Sequence, residues 1–285
     1  MEKLQFTGHE TFYCRNYWLK KGLDHIWQGK AFGENAVVGL GVGRNMVSSI
    51  RFWLRAFDLV DDNDVPNEIA HLLFDDSEGV DPYCEDQATL WLLHYYLTTS
   101  KRSSIYHLVF NIFRKQRVEF KEDQLVEFLE NIVLQSEDYV HPSSVKKDVK
   151  VFISNYTLPI KRKGIEDDFS RLLYELDLVK KLDKKGDWYR IENQIRKDIP
   201  YEIILFCIRE NKKYGEVVSL RQLATDIDSV GSVFALSEQG LMEKVEQIIT
   251  KHPKETVFTD DGGVRVLQFK KPIDHWKILK AYYGR

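Results

Sequence analysis

Residues 36–60 read AVVGLGVGRNMVSSIRFWLRAFDLV, and the placement of apolar and basic side chains in this stretch decides the fold. A short apolar run meets a glycine-punctuated turn, Gly39-Leu40-Gly41-Val42-Gly43, and a long helical pattern follows. Met46, Ile50, Trp53 and Phe57 recur at i, i+4, i+7 and i+11, with Val47 and Leu54 widening the stripe. That spacing belongs to a helix with one face in a core. Arg44, Ser48, Arg51 and Arg55 keep the same spacing on another face, with Asn45 beside Arg44 and no acidic side chain among them. Guanidinium forks match phosphate oxygens and guanine edges. The face therefore reads either as a recognition surface for DNA or as ordinary solvated helix. The glycine run lacks the Gly-Lys-Ser/Thr ending of a P-loop and the spacing of a dinucleotide fingerprint. A tight turn between two packed helices explains it.

Upstream, Phe6 to Arg15 is dense in polar and aromatic residues, and 15–26 reads as a helix with Trp18, Leu19, Leu23 and Ile26 inward and Gly22 as a tolerated flaw. His9-Glu10 begins like the zinc-protease H-E-x-x-H, but Tyr13 stands where the second histidine belongs, and that reading is rejected. Two roles remain open. Thr11 or Glu10 caps the helix while His9 is satisfied by a backbone group, the commoner use of such pairs. Alternatively His9, Glu10 and Arg15 gather beside the basic helix as catalytic base, metal ligand or orienter, and cationic clamp.

Downstream, Asp61-Asp62-Asn63-Asp64 is a turn cluster without EF-hand spacing, placed where the irregular wing of a winged helix would lie. Residues 85–97 form a helix apolar nearly all round, led by acidic residues that suit its dipole, with His94 expected in the core. Residues 104–114 give a helix ending in the basic cluster Arg114-Lys115-Gln116-Arg117. Further helices are expected over 123–135, from a His141-Pro142 cap to Ile153, and over 165–179. A basic loop at Lys161-Arg162-Lys163-Gly164 and a turn at Lys184–Asp187 before a strand at Trp188–Ile191 complete this part.

The last part has helices over 201–210 and, capped by Ser219, 220–226, then a Ser237-capped helix carrying Leu241, Val245 and Ile248. A hairpin with an Asp-Gly turn at 260–263 closes it. Three helices and a hairpin spell a winged-helix unit. Its presumed recognition helix turns Glu238, Glu243 and Glu246 outward, offset only by Lys244 and Lys251. Such a face repels phosphate and is expected to pack internally or meet a protein. The fold class is thus mainly α with small β hairpins (α+β). A winged-helix-like DNA-binding domain over 1–118 precedes a helical domain over 119–285 that ends in the second winged-helix-like unit.

Composition agrees with a globular chain: 285 residues, 43% hydrophobic, 30% charged, net charge -3. That balance excludes a uniformly basic coat, so DNA contact must come from local patches. Cys14, Cys84 and Cys207 lie far apart and form neither a disulfide framework nor a cysteine-rich zinc site. With no signal pattern and no apolar run of membrane-spanning length, the expected location is the cytoplasm, away from membranes.

Several blocks carry a resemblance. They are Phe6-x-Gly-His-Glu-Thr-Phe-x-x-Arg15, Trp18-Leu-x-Lys-Gly22, Leu40-Gly-Val-Gly-x-Asn-Met-Val47, Ile50-Arg51-x-Trp53 and Glu85-Asp-x-Ala-Thr-Leu-Trp-Leu-Leu-His94. Together they resemble a bacterial domain-of-unknown-function family called SspB, encoded beside sulfur-transfer enzymes in DNA phosphorothioation operons. The resemblance implies a DNA-binding component of a backbone sulfur-modification and antiviral defence system. It would engage or nick DNA so that sulfur enters one strand, with an ATPase and sulfur-transfer proteins as partners. It assigns no catalytic residue and no cofactor; strand cleavage would make a divalent metal a candidate. Two other functions stay open: a winged-helix transcription regulator that cuts nothing, and a helical scaffold for sulfur-transfer enzymes. No nuclease constellation stands out in the sequence.

Overall fold

A computed structural model describes residues 3–137, 140–159, 170–183, 185 and 187–284. The basic run 161–164, the start of the helix expected from 165, and Lys184 and Gly186 of the expected turn lie outside the described residues. The chain divides into two compact units at Ile191–Glu192.

The first unit is helical. Its elements are α1 (Trp18–Trp27), α2 (Ala36–Leu40), α3 (Arg44–Ala56), α4 (Glu68–Phe74) and α5 (Gln87–Thr99). Next comes α6 (Ser104–Leu108), which runs through a π-helical turn at Val109–Phe113 into a last turn at Arg114–Gln116. Then follow β1 (Glu119–Phe120), α7 (Glu122–Gln135), α8 (Pro142–Tyr156), β2 (Lys180–Lys181) and β3 (Tyr189–Arg190). The apolar stripe of α3 is buried as its spacing predicts, with Ile50, Trp53, Leu54 and Phe57 fully enclosed. Gly22 is no flaw. A Cβ there would stand 2.7 Å from Ile50 Cγ2 and 2.8 Å from Leu54 Cδ1, so its bareness lets α1 lie against α3. α5 is buried on nearly every side, as expected of an all-apolar helix. Its Asp86 cap accepts from the Ala88 N–H, and His94 sits in the core with Nδ1 2.9 Å from the Tyr156 hydroxyl.

Three expectations change here. Of the helix expected over 165–179, the described part holds only a 3-10 turn at Tyr174–Leu176. No strand forms among the described residues before 119; the acidic turn 61–64 is closed by a Val60–Pro66 bridge and is not a hairpin wing. The division also falls later than 118/119. β1 pairs antiparallel with β3 (Glu119 opposite Arg190), and α8 packs against both α6 and α7, so the chain from 119 to 191 completes the first core.

The second unit runs α9 (Tyr201–Glu210), β4 (Val217–Ser219), α10 (Leu220–Thr225), α11 (Val230–Val233), α12 (Glu238–Lys251), β5 (Thr256–Asp261), β6 (Val264–Phe269) and α13 (His275–Tyr282). Its antiparallel sheet has the order β4-β6-β5. Ser219 and Ser237 cap α10 and α12, accepting from the Gln222 and Gly240 N–H groups. The hairpin turns on Gly262 (φ 57) and Gly263 (φ 83), a pair of left-handed positions that favours glycine at both. Lys244 is a correction. It is buried, its Nζ donates to the Lys197 carbonyl, and desolvation pulls its pKa down, so it does not offset the outward glutamates of α12.

Candidate nucleic-acid interface

α3 begins at Gly43, an extended N-cap with no side-chain cap bond and no acidic residue in the first turn. The positive end of the helix is therefore left to whatever approaches it. Arg44, Asn45 and Ser48 are exposed there. The Ser48 hydroxyl donates only a long 3.5 Å bond to the Arg44 carbonyl, and Arg44 makes no ion pair among the described residues.

One turn further the basic face is already occupied. Asp64 takes Arg51 on one oxygen (Nη2–Oδ2 2.7 Å) and Arg55 on the other (Nη2–Oδ1 2.8 Å). Arg55 also donates to the Asp62 carbonyl at 2.6 Å, and Arg102 reaches the Asp62 carboxylate at 2.6 Å and Asp58 at 3.5 Å. Burial raises the pKa of Asp58, against the pull of Arg102. Asp61 shapes the turn, accepting from the Val65 and Asn63 N–H groups, and these bonds hold its pKa down. Three arginines thus face three aspartates of the following turn. The sequence marks 61–64 as a turn cluster but shows neither this counter-charge nor the approach of Arg102. The available signal was an acidic cluster directly after a basic helix.

Arg51, Arg55, Ser48 and Arg102 line a cleft of about 380 Å³ together with Gly8 and Glu10. The loop carrying Glu10 is pinned from two sides. Asp148, buried on α8, accepts from the Thr7 N–H at 2.9 Å and from His9 Nε2 at 3.0 Å. On the other side the Trp53 indole of α3 donates to the Phe12 carbonyl at 3.2 Å. The Thr11 N–H donates to His9 Nδ1 at 3.1 Å, which places the ring proton on Nε2. His9 is buried with both nitrogens engaged, its ring stacked near Trp53 and edge-on to Phe52. Glu10 is exposed at φ 48, and neither it nor Thr11 caps α1, whose N-cap is Tyr17. Arg15 does not line the cleft; its guanidinium lies 5.8 Å from the Tyr13 ring and 5.6 Å from that of Trp18. Of the three residues expected to gather, only Glu10 reaches the arginine face.

A family model described as "Protein of unknown function (DUF4007)" matches residues 6–283. The chain belongs to the DUF4007 family. Two solved structures are similar to it, described as a magnesium ion-bound SspB crystal structure and an SspB crystal structure. Each is 27% identical, with TM-scores of 0.86 and 0.84, and each alignment covers 100% of this chain and 88% of the other. These matches agree with the family resemblance carried by the N-terminal blocks. No curated protein matches the chain.

One of those similar structures is described as magnesium ion-bound. Among the described residues, no three His, Cys, Asp or Glu side chains gather to hold a cation, and the aspartates beside α3 are engaged by arginines. Magnesium commonly takes only one or two carboxylates plus waters and substrate phosphates, fewer protein donors than such a cluster. Burial pushes the thiols of Cys14, Cys84 and Cys207 well above their ordinary pKa, which disfavours the nucleophilic thiolate. Among the described residues no helix is long and apolar enough to cross a membrane.

Proposed function

We propose that this protein is the DNA-engaging component of a bacterial backbone phosphorothioation and antiviral defence system, acting in the cytoplasm. The observation that carries the reading is the start of α3. Arg44, Asn45 and Ser48 are exposed on an uncapped helix N-terminus, in a family whose similar solved structures are SspB proteins. A phosphate there meets backbone N–H groups, a guanidinium and a hydroxyl at once. The burial of Cys14 and Cys207 supports a division of labour in which sulfur arrives on a partner protein and not on this chain.

The second unit supports a protein-facing role. Its order of helix, strand, helices and hairpin, with β4 beside β6, supports reading it as a winged-helix-like unit. The helix in the recognition position, α12, presents Glu246, pairs its Glu238 with Arg265 and buries its one central lysine. A phosphate backbone is repelled by such a face. An ATPase or sulfur-transfer partner is the occupant this reading assigns.

Incubating the full chain with supercoiled plasmid at low salt, with and without magnesium, tests the reading. Retarded plasmid is expected. Conversion to open circles would add nicking to the function, and retardation alone would leave a binding component or regulator. Untouched, unretarded plasmid would contradict a DNA role and favour the scaffold.

A further inference from the structure

A second cleft, of about 510 Å³, is lined in part by the end of α2 and the turn that leads to α3. Its walls include Tyr17, Lys21, Asp24 and Tyr83, with Gly39 of α2 and Gly41 of the α2–α3 connection. Tyr17 is 62% exposed and Tyr83 55%, and the two rings meet edge to face with centroids 5.9 Å apart. Bare aromatic rings at a cleft mouth are unusual, and Tyr17 is more unusual still. It holds φ 68 at the N-cap of α1, a left-handed conformation that a bulky side chain rarely adopts. Strain of this kind clusters where a side chain is held out for a ligand.

The lysines and aspartates beside the rings, Lys20, Lys21, Asp24 and Asp76, balance in charge, and Lys21 is the cation among these four without a carboxylate partner. Lys20 is engaged by Asp24 and Asp76. Lys21 spends one donor on the Leu40 carbonyl at 3.1 Å, and an ammonium group carries three. The cleft wall is also continuous in sequence with the proposed phosphate site, since Gly41 lines the cleft and Arg44 opens α3 three residues later.

We infer that Tyr17 and Tyr83 form a stacking site for an unpaired nucleobase of the DNA strand whose backbone α3 holds. The inference rests on the DNA reading above. A base inside a duplex has both faces covered by its neighbours, whereas an extruded or single-stranded base offers a face to an aromatic ring. Lys21 would then neutralise the phosphate of the displaced nucleotide.

The test uses the full chain and two otherwise identical duplexes, one fully paired and one with a single bulged fluorescent base analogue. Tighter binding of the bulged duplex is expected, by roughly fivefold or more from the value of one stacked base, together with quenching of the analogue. The double variant Tyr17→Ala, Tyr83→Ala should bind both duplexes with the affinity of the parent for the paired one and should not quench. The Tyr17→Phe, Tyr83→Phe pair should keep both effects, because stacking needs the ring and not the hydroxyl. Equal binding of the two duplexes without quenching would overturn the stacking site while leaving DNA binding intact. So would equal loss on both duplexes in the alanine variant, or aromatic variants silent toward DNA that lose a protein partner. Failure to bind either duplex would remove the DNA reading itself.

Discussion

Asp148→Ala should destabilise the first unit by about 3 kcal/mol, lowering its melting temperature by roughly 6–12 °C. The carboxylate is buried and accepts from the Thr7 N–H and from His9 Nε2. Removing it strands two donors away from water, and each unsatisfied buried donor costs about 1–3 kcal/mol. Asp148→Asn is the informative partner variant. Both short bonds end on Oδ1, so an amide carbonyl in that position can keep them, and a loss of only about 1 kcal/mol is expected. Calorimetry on the two variants separates the cases. If alanine and asparagine melt alike, near the parent, then His9 and Asp148 do not hold the loop. Because that loop carries Glu10 to the arginine cleft, Asp148→Ala should also disturb any activity that depends on Glu10.

Asp64→Asn should strengthen DNA binding, in contrast to most changes near a binding face. Asp64 neutralises Arg51 and Arg55 at once. Losing that charge frees up to two guanidinium groups for phosphates, each adding about 0.9 to the slope of log affinity against log salt. At moderate salt a gain of roughly tenfold is expected. The fold should tolerate the change at a cost of about 1 kcal/mol, since asparagine keeps an acceptor oxygen for the two arginines at this 16% exposed position and suits its left-handed backbone (φ 62). Titrating one duplex at several salt concentrations reads both quantities. A drop in affinity with a shallower slope would show instead that Asp64 aims the arginines at DNA.

Much of the scaffold was legible because its signals are local. The stripe from Met46 to Phe57, the Ser219 and Ser237 caps and the helix over 201–210 each follow from spacing or from a single hydroxyl. The glycines 262 and 263 marked the hairpin, though the structure centres the turn on both of them and not on an Asp-Gly step. What stayed hidden was pairing across distance. Gly22 reads as a weakness until Ile50 and Leu54 are seen against it. His9 reads either as a histidine satisfied by a backbone group or as a catalytic base until Asp148, far along the chain, is found beneath it. The arginine face likewise reads as uniformly basic, because helical periodicity places Arg51 and Arg55 beside Arg44 but says nothing of a turn folding back over two of them. Arg44, the member next to the uncapped end, is the one left to solvent.

The most direct test of the central claim is therefore the salt dependence of duplex binding by the parent and by Arg44→Ala. The parent's affinity should fall steeply as salt rises, through release of condensed counterions. Arg44→Ala should weaken binding to every sequence alike and reduce the slope by about 0.9, the loss of one phosphate contact. A folded Arg44→Ala protein with the parent's affinity and slope would contradict the assignment of the α3 start as the DNA-facing surface.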